Sequence, residues 1–291
     1  MTYIAYLDSS SLAYPELDAQ CTIIHQYTDH IVEIQHYNKQ RFAYTKLIIQ
    51  KQVHTTTLTD LQQLALGPLQ KAVLIKDSMY SSQQLKKACT WNPNAPPVGI
   101  ISQNGSVFAG TLVYTKDTSF IHRKPHLRPG FHPASINPKL ARALVHLTGL
   151  QQGVIWDPMC GVGGILLEAG LLGYTTIGTD ISPTMLALAQ KNMDHYQIPT
   201  TLACEDALRA TYKADALICD IPYGKTTSVL PHEVLERMLQ HWYTCVQRAI
   251  IVAPYDIRVL HSPWNIEHIG TEYIHKSMNK YVFRLTSEGW I

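Results

Sequence analysis

The 291-residue sequence lacks the features that mark secreted, membrane and metal-binding proteins. Its six cysteines form no Cys-x-x-Cys pair and its 14 histidines no His-Glu-x-x-His pair, which predicts reduced thiols and no metal site. The first residues show no basic stretch followed by an apolar one, so no secretory signal is expected. The longest apolar stretch, around residues 165–174, is interrupted by Glu168 and by glycines. These absences predict a cytoplasmic protein that does not enter a membrane.

Charge is scarce as well, at 16% of residues with a formal net charge of +2. That net charge does not by itself indicate nucleic-acid binding. Residues 1–130 hold 12 Lys/Arg against 8 Asp/Glu, whereas residues 131–291 hold 12 against 14. A mildly basic front half suits a polyanionic partner, although a difference of this size also arises by chance. The hydrophobic content of 46% is enough for a full core, and the length allows two domains.

From residue 153 onward, short apolar runs alternate with helical patterns, which predicts a parallel sheet covered on both faces. Two further strands, with a turn at Ser277–Lys280, would finish this sheet as an antiparallel hairpin. The predicted strands lie near 153–156, 175–180, 200–204, 216–220, 249–253, 265–273 and 280–286, and the predicted helices near 164–172, 183–196 and 231–247.

The front of the chain has a different pattern, typical of a smaller α+β domain. The prolines of Trp91–Pro97 exclude a helix interior there, and His122–Gly130 resembles a linker. We therefore predict one domain over residues 1–125 and a second over 126–291. The elements predicted in the first domain are strands at Tyr3–Leu7, Thr22–Tyr27, Ile31–Tyr37, Val98–Ser102 and Val107–Thr115, and a helix at Leu58–Leu66. An amphipathic helix predicted at Pro138–Leu147 follows the linker, in the second domain.

Acids follow three successive predicted strands. Asp157 opens a glycine loop that ends at Gly164, and such a loop lets a backbone pass close under a cofactor, although tight turns also need glycine. Asp180, 23 positions after Asp157, can accept both ribose hydroxyls of a nucleoside; the alternative is a solvated turn aspartate. Glu205 and Asp206 compete to accept an adenine amino group.

A nicotinamide cofactor would use similar geometry, but no basic residue near the loop suits a pyrophosphate. Asp157 would repel phosphate, whereas it can meet the cationic end of a methionyl group. The pattern therefore favours S-adenosylmethionine. The predicted cofactor-binding residues are Asp157, Cys160, Gly161, Gly163, Asp180, Ile181, Asp206 and Ala207.

The next strand ends in Asp220-Ile-Pro-Tyr223, which suits methylation of an exocyclic amine. A carboxylate and a backbone carbonyl can accept the two N–H bonds of such an amine and turn its lone pair toward a methyl carbon. Pro222 would fix the turn, and the Tyr223 ring can stack on a base. Asp220, Pro222 and Tyr223 are the predicted catalytic residues, against the alternative of an edge-strand turn.

At these residues the chain resembles the archaeal and eukaryotic tRNA guanine-N2 methyltransferases that modify the guanosine at position ten. The resemblance covers about residues 120–291. One departure is Ile221, at a position where the family usually has proline. The segments that carry it are Lys124–Leu144, Asp157–Gly170, Asp220–Thr227 and Ile274–Val282. Ala5–Glu16 and Arg41–Lys46 faintly resemble the family's N-terminal ferredoxin-like domain, and Leu69–Thr115 would hold a shortened RNA-binding THUMP domain.

The resemblance implies a class I, Rossmann-like methyltransferase that uses S-adenosylmethionine, binds tRNA and, in eukaryotes, works with a small zinc-binding activator subunit. Lys225, Arg123, Lys124 and Arg128 are candidate phosphate contacts, although the three residues of the 123–128 cluster can equally form a solvated linker. Two other functions stay open. One is methylation of another amine, in DNA, rRNA or a glutamine side chain; the other is an inactive methyltransferase-like RNA-binding subunit.

Overall fold

The structure, a computed structural model, describes residues 1–37, 42–55, 98–103, 106–223, 230–275 and 278–287. The chain divides into two compact units, the first formed by Met1–Ser9 with Cys21–Asp117 and the second by Ser10–Gln20 with Thr118–Ile291. The boundary at residue 117 precedes the predicted one at 125. Residues 10–20, predicted to lie in the first domain, are part of the second unit.

The described part of the first unit is an antiparallel sheet with the strand order β2-β3-β1-β4-β6-β5. Ile4, Leu47, Ile49 and Phe108 are fully buried in its core. The sequence pattern does not predict β4, because its polar residues at 50–52 interrupt the alternation. The predicted helix at 58–66 and the segment 91–97 lie outside the described residues. The strands are β1 Tyr3–Leu7, β2 Ile23–Gln26, β3 Ile31–Ile34, β4 Thr45–Thr55, β5 Val98–Gln103 and β6 Ser106–Thr115.

The second unit contains the predicted sheet with helices between its strands. Its helices are α1 Ala13–Asp18, α2 Pro138–Leu147, α3 Gly164–Leu171, α4 Pro183–His195 and α5 His232–Tyr243, with 3-10 turns at Ser119–Arg123, Pro125–Leu127 and Ile257–Val259. Its strands are β7 Val154–Asp157, β8 Thr175–Asp180, β9 Thr200–Cys204, β10 Ala216–Asp220, β11 Arg248–Ala253, β12 Asn265–His275 and β13 Met278–Thr286.

The strand order of this sheet is β12-β13-β11-β10-β7-β8-β9. The pairs from β11 to β9 are parallel, and β13 is antiparallel to both β11 and β12, as the pattern predicts. The predicted turn at Ser277–Lys280 is wrong in extent, because β13 already begins at Met278. Lys280 is therefore a strand residue.

Local sequence signals explain where the helices of this unit begin. The side chain of Asn137 accepts a hydrogen bond from the N–H of Lys139 at the start of α2, and Ser182 does the same for Met185 in α4. A proline follows each cap, in the first helical position that needs no N–H partner. Within the described residues, no helix is both long and apolar enough to cross a membrane.

The topology creates a crevice beside β7. This strand pairs with β8 on one side and with β10 on the other, so the chain's progression through the sheet reverses at β7. Connections leave toward opposite sides at such a point, and ligands of open α/β sheets bind outside the carboxyl ends of the strands there. Asp157 and Asp220 are the last residues of β7 and β10. The fold therefore brings the two predicted site acids to one edge.

Candidate active site

The two predicted loop glycines have different surroundings. Gly161 and Gly163 both have positive φ angles, of 53° and 79°, which disfavour any residue with a side chain. A Cβ on Gly163 would lie 2.9 Å from Cε of Met193, so this glycine allows α4 to approach. A Cβ on Gly161 would meet nothing within 4 Å. Gly161 is therefore the glycine that faces open space, where a ligand can lie.

Asp180 ties the end of β8 to the glycine loop. Its Oδ2 accepts the backbone N–H of Gly161 at 2.8 Å, and its Oδ1 accepts that of Ser182 at 2.8 Å. A carboxylate oxygen has two acceptor sites, so each oxygen keeps one for a further donor. Ile181, which follows, is 72% exposed and offers an apolar surface at the same edge.

The acids after β9 are engaged in different ways. Glu205 accepts a hydrogen bond from the Tyr212 hydroxyl at 2.6 Å, whereas Asp206 accepts the N–H of Leu208 at 3.0 Å and shapes a turn. Ala207 is buried, and its carbonyl accepts the indole N–H of Trp242. Asp206 is thus the acid without a side-chain partner among the described residues.

Cys160 does not point into the crevice. Its side chain is buried in a cluster with Leu166, Leu167 and Met193, and burial raises the pKa of its thiol. Its backbone N–H donates to Thr179 and its carbonyl accepts from Gly163. Cys160 therefore shapes the loop through its backbone and holds the loop to the core through its side chain.

Asp157 is a buried acid with little to stabilise its charge. It is 2% exposed, and its Oδ1 accepts the N–H of Met159 at 3.2 Å. Burial raises the pKa of Asp157 well above its usual value, and the nearby Asp180 and Asp220 raise it further. Among the described residues, none of the groups that shift its pKa is a cation. A positively charged ligand would compensate this carboxylate.

Two of the predicted phosphate contacts, Arg123 and Arg128, need correction because they are buried. Arg123 donates to Glu168 at 2.7 Å, and Arg142 pairs with the same carboxylate at 2.7 Å. Arg123 is therefore part of an internal ion-pair cluster and is not exposed to a phosphate. Lys124 is exposed, and Lys225 lies outside the described residues.

Arg128, only 4% exposed, has an unusual environment. Its Nε donates to the carbonyl of Arg123 at 2.8 Å, but both terminal nitrogens are buried without a hydrogen-bond partner among the described residues. Nη1 lies 3.1 Å from where a Cβ on Gly164, the first residue of α3, would be. A buried guanidinium beside a helix start is suited to binding an anion.

Asn192, which the sequence analysis misses, joins the leading segment to the glycine loop. Its side chain, fully buried on α4, donates to the carbonyls of Gly130 at 3.0 Å and Val162 at 2.9 Å. It also accepts the N–H of Gly130 at 2.8 Å. An asparagine on the apolar face of a helix is the signal that could have revealed it.

The segment after β10 is fixed by the neighbouring strand. Ile221 is fully buried, and its N–H donates to the carbonyl of Val252 at 2.8 Å, a bond that proline could not make. The isoleucine therefore continues the ladder beyond Asp220 by one bond. Pro222 and Tyr223 follow as half-buried residues at the carboxyl edge.

Asp220 has a partner that the sequence analysis does not assign. Lys280 donates from Nζ to Oδ2 of Asp220 at 2.6 Å, and the same nitrogen lies 4.6 Å from the centre of the Tyr223 ring. Oδ1 of Asp220 is buried and has no hydrogen-bond partner among the described residues. Burial raises the pKa of Asp220, and Lys280 opposes this effect. One carboxylate oxygen is thus anchored and the other is available.

The described residues contain no cluster of three or more His, Cys, Asp or Glu side chains suited to a metal ion. The acids of the site are spread over separate strand ends.

Comparison with known proteins supports the fold and the predicted resemblance. Residues 125–250 match a family model described as UPF0020: RMKL-like, methyltransferase domain. A possible methylase from Clostridium difficile 630 superposes with a TM-score of 0.53 at 15% identity, covering 100% of this chain and 99% of that one. The fold is that of the class I methyltransferases, as predicted.

Curated relatives include archaeal tRNA (guanine(10)-N2)-dimethyltransferases. That of Methanothermobacter thermautotrophicus is 45% identical over 113 residues, or 38% of this chain and 34% of the relative. That of Methanocaldococcus jannaschii is 29% identical over 199 residues, or 64% of this chain and 56% of the relative. The alignments span about a third and about half of these relatives. The resemblance to the guanine-N2 methyltransferases is confirmed.

Proposed function

We propose that this protein transfers a methyl group from S-adenosylmethionine to the exocyclic N2 amine of a guanosine in tRNA, at position ten. The observation that supports it most is Asp220, whose buried Oδ1 has no hydrogen-bond partner among the described residues and which precedes Pro222 and Tyr223 at the carboxyl edge of the sheet. The choice of guanine in tRNA as the acceptor rests on the names of the curated relatives.

The charges at the two ends of the glycine loop fit the amino-acid end of the cofactor. The loop runs from Asp157, at the end of β7, to the start of α3, where Arg128 lies. Asp157 would receive the ammonium group, and Arg128 with the α3 N-terminus would receive the carboxylate. Asp157, which has no side-chain hydrogen-bond partner among the described residues, and Arg128, whose terminal nitrogens have none, thus match the two charges of a methionyl group.

The remaining cofactor contacts follow the sheet edge away from the loop. Asp180 keeps acceptor sites for the ribose hydroxyls, and exposed Ile181 would contact the adenine ring. Asp206 would accept the adenine amino group, beside the backbone of Ala207. Gly161 leaves the space in which the ligand passes over the loop. When bound, the cofactor supplies an electrophilic methyl group and leaves as a neutral thioether.

Asp220 would act on the amine of the target base. Its Oδ1 accepts one N–H, and the carbonyl of Ile221 accepts the other, so that the nitrogen lone pair points at the methyl carbon. As the N–C bond forms and the C–S bond breaks, the amine loses a proton to Asp220. The Tyr223 ring would stack on the extracted base and hold it in plane.

The test is transfer of labelled methyl groups to unmodified tRNA transcripts, followed by nucleoside analysis. We expect N2-methylguanosine or N2,N2-dimethylguanosine, and no label in a transcript whose position-ten guanosine is replaced by adenosine. Label on another nucleotide would contradict the proposed acceptor. Cofactor binding without transfer to any RNA would instead support an inactive RNA-binding subunit.

A partner subunit is a separate prediction. The resemblance implies a small zinc-binding activator in eukaryotes and an RNA-binding role for the first unit. Adding such a subunit to the transfer assay tests the first point, and transcript binding by the protein with and without residues 1–9 and 21–117 tests the second. Transfer by the purified chain alone would make the activator unnecessary.

A further inference from the structure

Lys280 is too deeply buried to be an ordinary surface lysine. Its side chain is 4% exposed, and lysines are almost never so buried without a charged partner. The partner is Asp220, which belongs to a strand that is not adjacent to β13, because β11 lies between them. Lys280 thus reaches across the end of β11 to the proposed methyl-acceptor site.

The contact makes the two oxygens of Asp220 unequal. Oδ2 receives the ammonium group at 2.6 Å, whereas Oδ1 is buried and has no partner among the described residues. A single strong contact restricts rotation of the carboxylate, since turning it would break a charge-assisted bond. Oδ1 is consequently the oxygen that is held ready for a substrate N–H.

The same ammonium group also lies over Tyr223, 4.6 Å from the ring centre. This distance is within the range of a cation–π interaction, which stabilises the ring in place. Lys280 therefore contacts both side chains that the proposed mechanism uses.

Two other titratable groups are affected by the charge of Asp220. Asp157 on β7 and the Cys219 thiol on β10 each have a pKa that the charge of Asp220 raises. Burial raises the pKa of Asp157 and of Asp220 alike. Lys280 is the group that favours the ionised form of Asp220.

We propose that Lys280 is a positioning residue for methyl transfer, which anchors Asp220 through Oδ2 and holds the Tyr223 ring. This proposal rests on the proposed function, because it assumes that Asp220 receives the amine. Lys280 acts through Asp220 and Tyr223 and need not touch the substrate.

The test compares Lys280→Met with Lys280→Arg, and uses Arg284→Met as a matched control. Arg284 lies on the same strand and pairs with Glu267 at 3.5 Å, with 30% of its side chain exposed. We expect Lys280→Met to move the acid limb of the kcat/KM profile upward by about one to three pH units, because an opposite charge at this distance shifts a carboxyl pKa by that amount. kcat should fall while affinity for S-adenosylhomocysteine stays unchanged.

Lys280→Arg keeps the charge, so we expect its acid limb to stay near that of the wild type. A shift in Arg284→Met as large as that in Lys280→Met would overturn the proposal. So would an unchanged acid limb in Lys280→Met, or an acid limb in Lys280→Arg that moves as far as expected for the loss of charge.

A measurement without RNA separates this proposal from the proposed function. The carboxyl ¹³C resonance of Asp220 reports its titration in the free protein. We expect its midpoint to rise in Lys280→Met and to stay near the wild-type value in Lys280→Arg and Arg284→Met. If this holds while the wild type methylates no RNA, the proposed function fails and the anchoring remains. If Lys280→Met does not fold, Lys280→Arg decides through its titration and its acid limb.

Discussion

At the end of β10, Asp220 has a lysine nitrogen at 2.6 Å, whereas Asp157, at the end of β7, has among the described residues a backbone N–H at 3.2 Å. Burial raises the pKa of both carboxyls; Lys280 opposes this rise for Asp220, whereas Asp180 and Asp220 add to it for Asp157. A charge that is balanced inside the protein can be held in place before any ligand arrives. A charge that is not balanced favours binding of a ligand that completes it.

Arg128 belongs with Asp157 in this comparison. It is buried with two nitrogens that lack partners among the described residues, whereas nearby Arg123 and Arg142 share Glu168. The proposed acceptor half of the site thus has an internal ion pair. In the proposed cofactor half, Asp157 has no side-chain hydrogen-bond partner and the terminal nitrogens of Arg128 have no hydrogen-bond partner among the described residues. This difference predicts which variants lose turnover and which lose cofactor binding.

The largest effect is expected for Asp220. Asp220→Asn should lower kcat by about 10²–10⁴-fold, since general-base catalysis is worth that much, while leaving S-adenosylhomocysteine affinity unchanged. Single-turnover transfer and calorimetry measure the two quantities. Asp220→Asn should also lower stability, because it leaves the buried Lys280 charge unpaired. The double variant Asp220→Asn/Lys280→Met removes both charges, so it should recover this stability but not the wild-type activity. Full activity in Asp220→Asn would refute the assignment.

Arg128→Met should come next and act on the cofactor. We expect about a tenfold to hundredfold weaker binding of S-adenosylhomocysteine, from loss of charge-assisted hydrogen bonds worth about 1.5–3 kcal/mol. Its free energy of unfolding without ligand should fall less than that of Arg123→Met, because both terminal nitrogens of Arg128 lack a hydrogen-bond partner among the described residues. Arg123→Met is the control: it removes a partner of Glu168 and should lower stability. Unchanged affinity in Arg128→Met would exclude the carboxylate contact.

Asp157→Asn should change how stability and binding depend on pH. The unfolded carboxyl ionises near about pH 3.9, whereas the folded one keeps its proton to higher pH. The folded state therefore binds more protons between these values, and stability falls as pH rises through that window. In Asp157→Asn, this fall in stability with rising pH should be absent. Its ligand affinity should drop by about tenfold above the window, where the ionised acid would pair with an ammonium group. Chemical unfolding and calorimetry across pH test both.

The smallest effects should separate the two glycines. Gly163→Ala should lower stability by about 1–2 kcal/mol, because of its positive φ and the nearby Met193. Gly161→Ala has the same backbone strain but open space around it, so it should cost less stability and weaken the cofactor more. Thermal unfolding with and without S-adenosylhomocysteine compares them. A larger binding loss in Gly163→Ala would reverse the assignment.

Much of the second unit could be predicted because its strands and helices carry strong local signals. Strands β8, β9 and β10 and helix α2 begin and end where the pattern predicts. Acids at consecutive strand ends identified the edge of the site, since parallel strands must end there together. Such signals depend on residues close in sequence.

Contacts between distant residues could not be predicted in this way. Lys280 reaches Asp220 across β11, and this contact depends on the order of strands and on the length of one side chain. The burial of Arg123 and Arg128 could not be predicted, because a basic run is typical of a solvated linker. The buried carboxylate of Glu168, which pairs with Arg123, comes from a helix 45 positions further on.

Helix α1 limits how this protein can be divided. The chain passes between the two units three times, at residues 9–10, 20–21 and 117–118. From this short excursion, Glu16 contacts Nδ1 of buried His146 at 2.6 Å, and Gln20 donates to the carbonyl of His146 at 2.7 Å. A fragment that starts at residue 118 would lack both the Glu16 contact with the imidazole and the Gln20 contact with the carbonyl of His146. Splitting the gene at one place would therefore not yield two intact folding units, whereas joining residues 10–20 to 118–291 by a short linker could.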